Sequence, residues 1–237
     1  MRSTGKEPSA FWNVFNKNIM RFYLTAIALL ISLLHLTAQE MERLELNYPM
    51  PVYVGTPKDL QVDKLERTWE MTIPPFFVPE GTVNMALGKL VYCSDEDPGM
   101  GSPDLVTDGE KEAADGYYLE MGEGQQYITI DLEQTSTIYA IAIWHYHKKA
   151  RVYYDVVVQA ADDPDMIINV NTLYNNDHDN SLGFGVGEDL HYIESNKGRL
   201  IDGRGVTCRF VRLYSNGNTD NSLNHYIEVE IYGKPSG

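Results

Sequence analysis

Short runs of alternating apolar and polar residues, repeated along the second half of the chain, constrain this fold more than any other feature. In Val152–Ala160 (VYYDVVVQA), Val152, Tyr154, Val156, Val158 and Ala160 share one face, with Arg151, Tyr153, Asp155 and Gln159 mostly opposite. In Tyr226–Tyr232 (YIEVEIY), Ile227, Val229 and Ile231 share a face, and Glu228 and Glu230 take the other. Tyr127–Leu132 (YITIDL), Ile138–Trp144 (IYAIAIW) and Arg209–Tyr214 (RFVRLY) complete the set. Successive side chains of a strand point to opposite faces, so this period-two pattern, rich in β-branched and aromatic residues, predicts half-buried strands. Gly, Asn and Asp clusters separate the runs, and no amphipathic helix is legible among them. The expectation over 82–237 is an all-β, antiparallel sandwich or barrel.

The N-terminal segment has another texture. Phe22–Leu36 (FYLTAIALLISLLHL) is an almost unbroken apolar run, preceded by Lys17 and Arg21 and followed by Thr37-Ala38. A run this short, basic in front and small-residue behind, has the form of an export signal rather than a spanning helix. The expectation is a signal peptide over 1–38, with Met20 an alternative start, and a secreted, periplasmic or cell-surface location. An uncleaved anchor is the competing reading. Prolines at 49, 51, 57, 74, 75 and 79, without sustained periodicity, give 39–81 the character of an extended linker. Its aromatics Trp69, Phe76 and Phe77 imply that part of it packs down. The net charge of −15 argues against nucleic acid, whose phosphates need clustered Lys and Arg. Cys93 and Cys208 allow either a disulfide tying the ends of the domain together or two buried thiols.

Five motifs then fall in order. Asn84-Met85-Ala86-Leu87-Gly88-Lys89 reads as N-x-A-x-G-K, Leu105–Gly109 as a turn ending in D-G, and Ile128–Leu132 as v-x-I-D-L. Cys208–Leu213 reads as a-R-Y-V-R-L and Ile227–Gly233 as x-E-I-E-V-Y-G. In this order and spacing, Asn84 to Gly233 resembles the discoidin domains, the family of the coagulation-factor C domains and many bacterial carbohydrate-binding modules. The resemblance implies a galactose-binding-like jelly-roll β-sandwich that is not an enzyme and whose end loops recognise a glycan or glycoconjugate, with adhesion as one use. It also implies a structural Ca²⁺ where the first turn meets the last strand. Asp108 and Glu228 would supply carboxylates, and backbone carbonyls near Val106 and Glu110 more of the shell. The family's hydroxyl after the D-G turn is missing, for Glu112-Ala113-Ala114-Asp115 stand there, so Asp115 or Glu112 would have to compensate. The same residues also fit an ordinary Asp-Gly turn and a solvated Glu.

Loops carry function in such modules, and three segments hold the chemistry a sugar needs: an aromatic face for ring C–H groups and polar groups for hydroxyls. From the first come His145, Tyr146, His147 and Arg151, from the second Asn175 and His178, and from the third Asn216 and His225. Trp144 ends an apolar strand and belongs to the core. His145 and His147 at i, i+2, with His178 between two aspartates, also admit a transition-metal site and a metal-dependent hydrolase. A protein–protein module using the same loops is the remaining alternative. The G-x-S-x-G elbow, the P-loop and H-E-x-x-H are absent, and Gly183–Gly187 (GFGVG) lacks the strand–turn–helix context of a phosphate cradle. Polar loops and an acidic chain argue against stable membrane insertion.

Overall fold

The computed structural model describes residues 19–20, 22–23, 39–52, 60–67 and 74–236. The chain divides into two compact units, Met1–Met41 and Glu42–Gly237. In the first, Ile19, Met20, Phe22 and Tyr23 are helical and exposed. The rest of the expected signal segment lies outside the described residues, as does Trp69. Among the described residues, no helix is long and apolar enough to cross a membrane.

The strands are β1 (Met41–Arg43), β2 (Phe77–Pro79), β3 (Val83–Asn84), β4 (Leu90–Cys93), β5 (Leu119–Met121) and β6 (Gln126–Trp144). They continue as β7 (Val157–Ala161), β8 (Asn171–Asn175), β9 (Arg199–Ser215), β10 (Asn224–Tyr226) and β11 (Glu228–Pro235). Two long strands build both layers of an antiparallel sandwich. The first half of β6 pairs with β4 and with the end of β9, which continues to β7 and β8. The second half of β6 pairs with β11 and with the start of β9, and β3 flanks β11. The change of layer falls where the β6–β9 register shifts between Asp131 and Ser136, beside Glu133 at φ 65°. Bulges are the usual device by which one strand serves two sheets. Between the layers, Ile128, Ile130, Leu213 and Val158 meet Ile141, Ile143, Val229 and Ile231 in one dry core.

Alternation put Val158, Val229 and Ile231 on shared faces that turn inward here, with one phase error. Asp155, at φ 53°, breaks the 152–160 run, so β7 starts only at Val157. The break reverses the phase upstream, and Tyr153 rather than Tyr154 is buried. Two described stretches of the 39–81 segment, 47–52 and 60–67, touch the sandwich. Asn196 Nδ2 donates to the Pro49 carbonyl (2.8 Å), Leu65 bridges to His191, and Glu66 pairs with Arg199 (2.7 Å).

The disulfide reading is overturned: Cys93 and Cys208 are both free. Cys93 stands across from Ile128 and Cys208 across from Ser136, on opposite flanks of β6. At ~3.3 Å per residue, those two positions on β6 are more than 20 Å apart, against the ~6 Å a bridge allows. Burial pushes the Cys208 thiol up to about 12, and Cys93 donates to the Asp95 carbonyl. Two thiols are therefore expected to titrate in the denatured, unreduced protein, with Cys93 alone reacting in the native state. Titration of no thiols after denaturation would contradict this fold.

Candidate functional site

The β5–β6 turn and the β6–β7, β8–β9 and β9–β10 loops meet at one end of the sandwich. Asn224 ties two of them by donating through Nδ2 to the carbonyls of Gly122 (2.8 Å) and Gly124 (3.0 Å). Arg151 ties the β6–β7 loop to the β9–β10 loop, donating to Asp220 (3.0 Å) while its guanidinium lies over the Tyr146 ring at 4.8 Å. Tyr118 packs edge-on against Tyr146, with ring centroids 4.8 Å apart, and tilts over His225 at 5.7 Å. The Tyr153 hydroxyl donates to His225 Nδ1 (2.9 Å), and His225 Nε2 donates to Glu120 Oε2 (3.2 Å). Burial, with Arg151 and His145 nearby, pushes His225 down to about 4, so the ring is neutral at physiological pH and this tautomer is fixed by its partners. Glu120 and Asp220 carry the arrangement to the surface, with side chains 23% and 44% exposed. Arg151 Nε is buried without a hydrogen-bond partner. The result is a small patch of acceptors, one committed neutral imidazole and aromatic edges, at the lip of the sandwich.

The expected loop residues therefore separate into two groups and several single positions. Arg151 and His225 belong to this patch. Tyr146 supports it from below, because its buried ring is already covered by Tyr118 and Arg151 and cannot serve as a sugar platform. His145 is fully buried: Nδ1 donates to Glu194 Oε1 (2.6 Å), and the ring stacks on Tyr153 at 4.4 Å. His147 is equally buried and donates to the Lys111 carbonyl (2.9 Å). Neither histidine is a contact residue; both are internal ties at the end of a strand that continues inward. Trp144, as expected, is core, donating to the Asn196 carbonyl (3.0 Å).

Asn175, His178 and Asn216 gather instead around Asp155. Asn216 Nδ2 donates to Asp155 (2.9 Å), Asn175 Oδ1 accepts from the Asp177 amide (2.9 Å), and His178 Nδ1 donates to the Gly187 carbonyl (3.0 Å). His178 meets His191, not His145 or His147, at 4.9 Å between ring centroids. The hydrolase reading joined His145 and His147 with a third His or Asp around one metal, and the fold gives His145, His147 and His178 separate partners. Asp155, Asp177 and Asp179 do bring carboxylate oxygens within 4.8 Å of one another. Those oxygens are engaged by the amides of Ser181 and Leu182, the Ser181 hydroxyl and Asn216, which close the loop.

The turn-to-strand site is built differently. Gly109, at φ 89°, makes the turn that Asp108-Gly109 announced, and its amide donates to Glu228 Oε2 (3.1 Å). Glu228 is fully buried, and its Oε1 has no hydrogen-bond partner. Burial, aided by Glu230 and Asp108, pushes its carboxyl up to about 9. Lys111, the nearest cation, is spent on Glu230 (2.6 Å) and the Asn47 carbonyl (3.1 Å). Asp108 is exposed, with Oδ1 accepting from the Glu110 amide (2.8 Å), while Val106 is buried just upstream. The Glu110 side chain turns back to accept from the Lys111 and Glu112 amides.

Sequence reasoning missed Tyr118, Glu120, Tyr153 and Asp220. None sits in a motif, and only Tyr153 lay within a run whose phase could have placed it inside.

No protein-family model matches the chain, and no curated protein matches it either. Among solved structures, it is similar to the CBM32 of AlyQ in complex with 4,5-unsaturated mannuronic acid, at 21% identity and a TM-score of 0.44, over 60% of this chain and 92% of that one. It is also similar to the fucose-binding module SpX-3 of Streptococcus pneumoniae, at 20% identity and a TM-score of 0.46, over 63% of this chain and 97% of that one. A family 89 glycoside hydrolase from Clostridium perfringens matches at 20% identity and a TM-score of 0.49, and there the chain spans only 15% of the partner's length.

Proposed function

We propose that this chain is a non-catalytic glycan-binding module, acting outside the cell or at its surface, that takes a sugar at the loop end of the sandwich. The observation that carries the reading is His225, held neutral between the Tyr153 hydroxyl and Glu120 and flanked by Tyr118, Arg151 and Asp220. Glu120 and Asp220 offer acceptors to sugar hydroxyls, Arg151 fixes Asp220, and the Tyr118 edge limits how a ring can lie.

A calcium ion belongs to the same reading. Glu228 Oε1, a buried oxygen without a partner beside a second carboxylate, is the environment a hard cation satisfies. Asp108 and Glu228 would hold it, with the backbone carbonyls of Val106 and Glu110. The Asp155 cluster fits a cation less well, because its oxygens already accept hydrogen bonds. When bound, calcium supplies the positive charge that lets Glu228 ionise inside the fold, and so fixes the turn to the last strand.

A glycan array run with calcium and again with chelator tests the proposal. Selective binding to a small set of related glycans, weakened by chelator, is the expected result. Uniformly blank arrays under both conditions would overturn it.

A further inference from the structure

The loop end leaves one face of the molecule without a role. The pleat that turns Ile130, Val211 and Val158 into the core turns their neighbours Thr129, Arg212 and Gln159 outward. Register aligns Tyr92, Thr129, Arg212, Gln159 and Thr172 in one row across β4, β6, β9, β7 and β8. The members of the row that line a groove, Tyr92, Thr129 and Arg212, span roughly 10 Å at ~4.8 Å per strand step, while Gln159 is buried beyond them. The row's members are linked: Arg212 Nε donates to Thr129 Oγ1 (2.7 Å) and Gln159 Nε2 to Thr172 Oγ1 (3.2 Å). Beside the row, Arg209 grips Asp131 with two bonds of 2.8 Å. Arg212 also donates to the Pro164 carbonyl (2.7 Å), which draws the β7–β8 connection up as a wall. Between wall and sheet lies a groove of about 660 Å³, with Tyr92, Tyr127, Asp131 and Arg212 among its lining.

The lining narrows the occupant. Tyr92, on a strand paired on one side only, is 51% exposed and offers an open ring face, while the Arg212 guanidinium lies over Tyr127 at 4.1 Å. An apolar ligand would strip water from the Arg209–Asp131 pair. A polyanion would face Asp131, Asp162 and Asp163 on a chain of net charge −15. An uncharged, hydroxyl-rich chain meets neither objection. Guanidinium and carboxylate groups set side by side donate to and accept from neighbouring hydroxyls, and Tyr92 takes the C–H face of a ring.

We propose that this groove is a second glycan-binding surface, taking an uncharged oligosaccharide several residues long laid across the strands. The proposal rests on the glycan reading above but uses none of its residues. The test is calorimetric titration of wild type, Tyr92→Ala, Arg212→Gln and Asp220→Ala with disaccharides and hexasaccharides of the cello-, xylo-, manno- and laminari- series. For at least one series, Tyr92→Ala and Arg212→Gln are expected to weaken hexasaccharide binding about tenfold, the usual effect of losing a central contact, and to leave disaccharide binding unchanged. Asp220→Ala should weaken the disaccharide. Wild-type hexasaccharide affinity in both groove variants, alongside loss in Asp220→Ala, overturns the groove and leaves the loop site standing. A wild type that binds no member of any series overturns the groove, while the array decides the loop site separately. Tyr92→Ala removes a half-exposed ring at a sheet edge, so a folded variant is expected, and an unchanged circular dichroism spectrum verifies it.

Discussion

In chelator, the protein is expected to lose stability steadily as pH rises from about 4.5 towards about 9, and saturating calcium is expected to remove that loss. The cause is Glu228, whose carboxyl is raised from 4.5 to about 9 by burial, with Glu230 and Asp108 adding to it. Below 4.5 both the folded and unfolded chains hold the proton. Above it the unfolded chain releases the proton while the folded chain keeps it, so the raised group contributes most at low pH and its contribution fades as pH climbs through this window. Each pH unit is worth about 1.4 kcal/mol, which makes the loss about 3 kcal/mol by neutral pH. On the proposed reading, calcium would take the proton's place as the partner of Glu228 Oε1 and offset the penalty. Glu228→Gln should flatten the chelator curve and abolish the calcium effect together, because the amide neither titrates nor offers a carboxylate. Melting curves across this range check it; coincident curves with calcium and with chelator would contradict the assignment of Glu228 to a cation.

His145→Ala is expected to destabilise the protein by about 2–4 kcal/mol, the combined cost of a broken buried hydrogen bond and the cavity left by a lost ring. His145 and Glu194 are both fully buried and joined at 2.6 Å, and the imidazole also stacks on Tyr153. Binding by the fraction that remains folded at low temperature should fall little, because His145 does not reach the surface patch. Denaturant unfolding separates the two effects. A fully stable variant that no longer binds would instead make His145 a contact residue.

How much of this was legible in the sequence follows from what alternation encodes. Period two tells which residues share a face, and it placed Val158, Val229 and Ile231 correctly because regular pairing preserves the phase. It does not encode a residue at positive φ, so Asp155 shifted the phase and hid Tyr153. It also cannot say whether the second face of a strand meets water. Glu228 and Glu230 lie opposite an apolar face, yet the turn from Asp108 to Lys111 covers them. The Asp108–Glu228 meeting was legible because a turn motif and a strand motif carried it. The loop patch was not, because Glu120, Arg151, Asp220 and His225 come from four places brought together by Asn224 and by β5–β10 pairing. Histidines near a strand end looked like ligands for the same reason: sequence shows that they are polar, not that β6 carries His145 inside. The pairing of Cys93 with Cys208 failed on distance along β6, which only the register supplies.

The most direct test of the account is a backbone NMR titration of the calcium-loaded protein with the tightest glycan from the array. The account predicts that a single-residue or terminal ligand shifts amides around Tyr118–Glu120, Arg151 and Asn218–His225 first, and that Glu120→Ala and Asp220→Ala each abolish those shifts. Shifts confined to the loop around Asp155 and Asp177, or unaffected by either substitution, would contradict it.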